Sequence, residues 1–351
     1  MGNSNTRAEK IQNFDPNGVG LRNGHFIGLP FEEADAQIVL LPVPWDVTVS
    51  YGAGTATGPA NILEASTQLD LLDPDVPDAW KLGLYMRPPS TEWLHRSEAL
   101  RPGAERYIEQ LEAGATTDPA ILRHINQACE ELRAWVQAET AALLEQGKLV
   151  GVVGGEHSVP LGFLQALAEQ HGAFGVLQID AHMDLREAYE GFTYSHASIF
   201  YNAMQLPQIT QLTQVGIRDY CEEEVAFAEN SGRCTLFYDH ELQRRQFEGQ
   251  NWSPLCTEIV QALPGKVYIS FDIDGLQPQL CPNTGTPVPG GLGFQQALYL
   301  LGQVVESGRQ IIGFDLCETA GQPHEWDANV GARILYKLAN LMGKSQGLPK
   351  A

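Results

Sequence analysis

Basic residues are scarce in this chain: 22 lysines and arginines stand against 43 aspartates and glutamates, a formal charge of −21 over 351 residues. A surface of that sign repels nucleic acid and anionic membranes, and it favours a cationic ligand near any site it carries. Cysteine is also sparse. Cys129, Cys221, Cys234, Cys256, Cys281 and Cys317 are scattered and form no CxxC pair, the pattern of reduced packing thiols in a cytoplasmic protein. No run of about 18 apolar residues occurs, so no transmembrane helix is expected. The opening MGNSNTRAEKIQNFDPNG lacks the apolar core of a secretory signal. It fits a loose Gly2-to-Thr6 acylation pattern, and a mobile polar tail is the expectation for it. There is no internal repeat and no low-complexity tract.

Apolar, β-rich runs alternate with helical patterns along most of the chain. The runs are QIVLLPV (37–43), LVGVV (149–153), FGVLQI (174–179), LTQVGI (212–217), CTLFY (234–238), KVYISF (266–271) and QIIGF (310–314). NILEASTQLDLL, a long amphipathic segment over 119–146 that starts at Pro119 and stops at Gly147, and a segment over 158–170 carry helical spacing. Further helical segments lie near 196–204, 222–230, 253–263, 293–306 and 326–342. This alternation predicts an α/β fold with a central parallel sheet and helices on both faces. The stretch 87–118 is less regular and is expected to be a surface excursion. The chain divides into an extension (1–36), one domain (37–343) and a short tail (344–351).

In a doubly wound sheet, ligands bind beyond the carboxyl ends of the strands, and the polar clusters lie there. LVGVV is followed by GGEHS with His157, FGVLQI by DAHMD, and KVYI by SFDIDG with Asp272 and Asp274. In extended backbone, residues i, i+2 and i+4 project to one side, so Asp180, His182 and Asp184 form a row of ligands. One such motif is ordinarily an N-cap or a turn. Three of them at the ends of strands in one sheet point to a metal site. Four carboxylates packed together raise each other's pKa, and two divalent ions offset their charge. Two imidazoles with carboxylates suit Mn²⁺ or a similar first-row ion; Ni²⁺ fits the same donors.

GGEHS, DAHMDLREAYEG…SHAS, SFDIDG and GTPVPGG, in this order from about Gln37 to Met342, resemble the signatures of the ureohydrolase (arginase/agmatinase) family. The resemblance implies a three-layer arginase-like fold and a binuclear manganese site that hydrolyses a guanidinium group to urea and an amine. By motif, one ion falls to His157, Asp180, Asp184 and Asp272, the other to Asp180, His182, Asp272 and Asp274, with Asp180 and Asp272 bridging. His196, in SHAS, matches the family's proton-transfer histidine, for which an ordinary imidazole pKa is suitable. Glu318, in GFDLCETAG, matches its guanidinium-binding carboxylate. The resemblance also implies a homo-oligomer, trimeric or hexameric.

Departures from the family pattern bear on the substrate. Glu156 stands where many relatives have Asp, and little effect is expected of it; Gln277 replaces a frequent acid. Cys221 occupies the position of an arginase acid used for the substrate's α-amino group, and Arg186 stands where arginases have Asn. These changes are closer to agmatinases, with agmatine cleaved to putrescine and urea. The loops at 185–195 and 219–224 carry Glu187, Glu190, Glu222, Glu223 and Glu224, which favour a distal ammonium. Arg186 and Arg218 keep substrates with a carboxylate tail open, alongside arginine, homoarginine and guanidine. A single-zinc deacylase of the same fold and a non-catalytic partner subunit are the competing classes, and a six-ligand set argues against both.

Overall fold

A computed structural model describes residues 6–322 and 324–348. Eight strands form one sheet: β1 (Ile38–Val43), β2 (Leu84–Met86), β3 (Leu149–Gly154), β4 (Phe174–Ile179), β5 (Ile209–Ile217), β6 (Cys234–Tyr238), β7 (Lys266–Asp272) and β8 (Gln310–Cys317). The order is β2-β1-β3-β8-β7-β4-β5-β6, and every pairing is parallel. The helices are α1 (Arg7–Asn13), α2 (Gly58–Ala65), α3 (Thr91–Glu112), α4 (Pro119–Glu145), α5 (Leu161–His171), α6 (Ile199–Ala203), α7 (Glu222–Ser231), α8 (Asp239–Phe247), α9 (Trp252–Gln261), α10 (Phe294–Glu306) and α11 (Trp326–Ser345).

Two apolar layers sandwich the sheet. Alternate residues of β1 divide between them: Ile38 and Leu40 join the layer made with α2, α9, α10 and α11, while Val39, Leu41 and Val43 join that of α3 to α6. The period of two along a strand that is buried on both faces is what a covered parallel sheet requires. The expected three-layer architecture is therefore present.

Some expectations need correction. The stretch 87–118 contains α3, a helix of 22 residues. Ser90 caps it by accepting from the Trp93 N–H, and Trp93, Ser97, Ala104, Tyr107 and Ile108 form its buried stripe. Pro102 in its interior and a stripe broken by polar residues hide that periodicity. The strand β2 is only three residues long, and α8 has a polar sequence; both escaped the pattern reading. The extension 1–36 is not all outside the core, because Phe26, Leu29 and Phe31 are fully buried. The tail is shorter than expected, since Lys344 and Ser345 still belong to α11. Gly2 and residues 349–351 lie outside the described residues.

Candidate metal centre and active site

The four adjacent central strands β3, β8, β7 and β4 deliver the site. Beyond β3 the chain turns at Gly155, where a Cβ would stand 2.0 Å from the Trp45 carbonyl oxygen. Only glycine lets the turn pass so close beneath the segment after β1. His157 follows. Its Nδ1 has no hydrogen-bond partner, yet lies 3.0 Å from Asp180 Oδ2, 3.2 Å from Asp184 Oδ2 and 3.2 Å from Asp272 Oδ2. One ring nitrogen facing three carboxylate oxygens in a buried pit is the donor set of a cation site. The second histidine builds a neighbouring set: His182 Nδ1 is 3.1 Å from Asp274 Oδ2 and 3.6 Å from Asp180 Oδ1. Asp180 thus presents one oxygen to each imidazole, as a bridging carboxylate does. His157, Asp180 and Asp272 form one ligand-competent group, and Asp180, His182 and Asp274 another.

A further shell orients these groups, and sequence reasoning missed most of it. His157 Nε2 meets Ser270 Oγ at 2.8 Å, and Ser270 donates to Asp315 Oδ2 at 2.7 Å. This leaves Nδ1 as the lone-pair nitrogen facing the pit. Gln178 donates to Asp180 Oδ2 at 2.8 Å and is itself held by Gln214 at 2.6 Å. Main-chain N–H groups fix the remaining lone pairs: His182 on Asp180, Ala181 on Asp274, and Asp274 on Asp272. Asp315 lies inside the apolar run of β8, where alternation alone signals nothing about a partner.

Charge crowding sets the electrostatics. Burial and the Asp180 charge push Asp184 up to about 7. Burial, Asp274 and Asp180 raise Asp272 well above the carboxylate range. Burial opposes charge on His157, but Asp180, Asp184, Asp272 and Asp315 outweigh it and raise the imidazole. Burial likewise raises Glu318, despite the His157 N–H donated to it. Divalent cations bound among these carboxylates would offset the crowded charge.

The pit opens into a cavity of about 250 Å³ lined by Ser50, Tyr51, Arg186, Tyr189, His196, Asp219, Tyr220 and Glu224, among others. His196 lines it as expected, but its pKa is not ordinary: burial and the His182 charge lower it to about 3. Glu318 Oε1 accepts the His157 N–H at 2.8 Å, while its buried Oε2 has no partner. Gly285 leaves room beside that oxygen. Glu187, Glu222 and Glu223 face solvent; only Glu224 of that loop set is buried. Arg186 lies 3.7 Å from Glu224 Oε2 and over the Tyr189 ring at 4.8 Å. Arg218 cannot meet a substrate carboxylate, because its guanidinium donates to the carbonyls of Gly216, Asp274, Leu276 and Val288.

A parallel sheet with this carboxylate–imidazole pit at the ends of its central strands defines an arginase-fold protein. Solved structures agree: the agmatine ureohydrolase of Thermoplasma volcanium superposes with a TM-score of 0.70 at 20% identity, covering 98% of this chain and 100% of that one. The proclavaminate amidino hydrolase of Streptomyces clavuligerus gives 0.72 at 22%, covering 93% and 98%. The chain belongs to the arginase family, which it matches over residues 36–340, and within it is an agmatinase-like ureohydrolase. It is 33% identical to the N(1)-aminopropylagmatine ureohydrolase of Thermus thermophilus over 91% of this chain and 94% of that one. It is 28% identical to the agmatinase of Bacillus anthracis over 83% and 85%.

Proposed function

We propose that the chain cleaves a linear guanidino-alkylamine to urea and an amine, with agmatine yielding putrescine as the simplest case. His157, Asp180, Asp184 and Asp272 would hold one divalent ion, and Asp180, His182, Asp272 and Asp274 a second. The unpartnered His157 Nδ1 among three carboxylate oxygens supports that assignment. Mn²⁺ fits the donors, as does Ni²⁺. Two such ions supply Lewis acidity and, at neutral pH, a nucleophile drawn from water.

The chain's own side chains do the rest. Glu318, with Oε1 tied to the His157 N–H and Oε2 free, receives the guanidinium and orients it. His196 enters neutral, since its pKa is lowered to about 3. Lining the cavity in its neutral form, it can take up the proton that the attacking water gives up and pass it to the departing amine.

The observation that carries the amine tail is the fate of the arginines. Arg218 is saturated by carbonyls, and Arg186, the one cation among the described residues lining the cavity, faces Glu224. Asp219 and Glu224 line the same wall. A distal ammonium meets the charge of Asp219 and Glu224 there, whereas a distal carboxylate meets only Arg186, whose charge Glu224 offsets at 3.7 Å. A second reading is N(1)-aminopropylagmatine, an amine one segment longer. Relatives bearing that name reach 33% identity against 28% for agmatinases. Assembly as a trimer or hexamer, which the family resemblance implies, and a cytoplasmic location, which the scattered cysteines suggest, belong to the same reading and are checked by light scattering and by fractionating the producing cells.

Urea release decides the matter, measured as kcat/KM for agmatine, N(1)-aminopropylagmatine, arginine, homoarginine, guanidinobutyrate and guanidine with Mn²⁺ and with Ni²⁺. A guanidino acid exceeding both amines by more than about tenfold, roughly 1.4 kcal/mol of transition-state preference, overturns the amine-tailed reading. One bound ion per chain with amide cleavage would instead establish the deacylase class, and two ions with no turnover the non-catalytic one.

A further inference from the structure

Glu156 precedes His157 but is not among the residues lining the cavity. Its side chain is fully buried and engaged entirely with hydroxyl and amide donors. Oε2 accepts the Thr48 N–H at 2.7 Å, and Oε1 accepts the hydroxyls of Thr48 at 2.7 Å and Ser158 at 2.5 Å. Thr48 is fully buried too. With its proton committed to Glu156, the Thr48 hydroxyl can only accept from its other side, and there it meets the His196 N–H at 3.3 Å. Two residues on, Ser50 Oγ lies 3.4 Å from His196 Nε2 and lines the cavity. Glu156 therefore holds Thr48 and the direction of the hydroxyl on which His196 rests, while Arg101 holds the carbonyls of Val47 and Val49 on either side.

We propose that Glu156 is a positioning residue for His196, acting through Thr48. The longer side chain than aspartate has a purpose here. It spans from the turn after β3 to Thr48 and grips its N–H and O–H together, which a carboxylate one methylene shorter does not reach in the same backbone. The polarity of the link matters as much as its length. In Glu156→Gln the amide carbonyl must face the Thr48 N–H, so the NH₂ faces the hydroxyls. The Thr48 hydroxyl then accepts from the amide and its proton loses its acceptor on Glu156, so the direction of the lone pair offered to the His196 main-chain N–H is no longer fixed.

The inference rests on reading His196 as the proton-transfer residue, and two independent measurements separate them. Hydrogen–deuterium exchange of the segment 193–199 in the metal-loaded protein reads the link directly. It should accelerate in Glu156→Gln and in Thr48→Val, and stay at the wild-type rate in Thr48→Ser, which keeps the hydroxyl. Turnover should fall by about 10²-fold in the first two, as for an acid–base group displaced by about an ångström, with two ions still bound. In a His196→Ala background, Glu156→Gln should cost nothing further, since residues acting as one unit are non-additive. Wild-type exchange and turnover in both Glu156→Gln and Thr48→Val overturn the proposal. So does a loss that adds fully to that of His196→Ala, or a loss of bound metal, which would place the effect on His157. If wild-type protein releases no urea from any guanidino compound, the reading of the function fails while the exchange measurement still decides whether Glu156 holds His196.

Discussion

Binding of Mn²⁺ should expel protons, and the structure sets how many. Carboxylates and imidazoles ligate only when deprotonated. Against the effect of burial, carboxylates raise both His157 and His182 above the ordinary imidazole range, and burial with Asp180 pushes Asp184 to about 7. The metals must therefore displace protons from both imidazoles, from Asp272 and, near pH 6, from most of Asp184. Asp184 gives up its proton as pH rises through about 7, whereas His157, His182 and Asp272, all raised, hold theirs to higher pH than they ordinarily would. Each displaced proton changes the binding constant tenfold per pH unit, ~1.4 kcal/mol. Affinity for the pair of ions should thus weaken as pH falls, about tenfold per unit for each ligand still protonated, and more steeply below about pH 7 as Asp184 joins. Calorimetry in two buffers of different ionisation enthalpy at one pH counts the protons. Release of fewer than about one proton per chain near pH 6, or a binding constant flat with pH, would show that the pit is not the metal site.

Other outcomes follow from the same groups. In the chelated protein the folded state binds more protons than the unfolded chain at Asp184, Asp272, Glu318 and His157, all of whose pKa values are raised; stability should therefore fall as pH rises from about 5 to 8, and Tm scans should lose this slope on loading with Mn²⁺. Replacing His196 by alanine should lower kcat by about 10² to 10⁴, the size of general acid–base effects, with metal content unchanged; near-normal turnover across neutral pH would make it a bystander. Asp272→Asn should abolish urea release and one or both ions should be missing by elemental analysis; full metal content with activity would exclude it as a bridge.

The central fold and the residues that meet at the pit were legible because each polar motif follows a strongly apolar strand, a local signal that survives without tertiary information. Roles set by distant partners were not. Arg218 looked available to a substrate, but its partners are main-chain carbonyls from three separate segments, and carbonyls leave no mark on a sequence. Asp315 reads as part of a strand, and its function as the anchor of Ser270 and His157 depends on pairing between β7 and β8. His196 carries no sequence sign of the burial that lowers its pKa. Glu156 resembled a neutral exchange for aspartate until Thr48, 108 positions away, appeared against both of its oxygens.

Backbone strain accompanies two of the acids at the pit. Asp184 and Glu318 adopt φ of 55° and 63°, a left-handed conformation that costs a residue with a Cβ about 1–3 kcal/mol. Glycine would relax both positions, but it carries no carboxylate. Instead the surroundings hold each in place. The Asp184 carbonyl accepts from the Phe200 and Tyr201 amides at 3.0 and 3.3 Å, and the next amide, Leu185, is bound by Glu224. Glu318 donates its N–H to the Gly155 carbonyl at 2.8 Å and accepts the Thr284 hydroxyl at 2.9 Å. In each case the positive φ turns the chain at the rim of the sheet, so that Asp184 joins the row begun by Asp180 while Glu318 keeps one oxygen free. Two strained acids at the ends of two central strands, each pinned by partners from other loops, are expected where a fold spends stability to aim charge. Ile27, Asp78 and Glu190 share that conformation, so what sets Asp184 and Glu318 apart is that each combines it with a buried carboxylate at the pit.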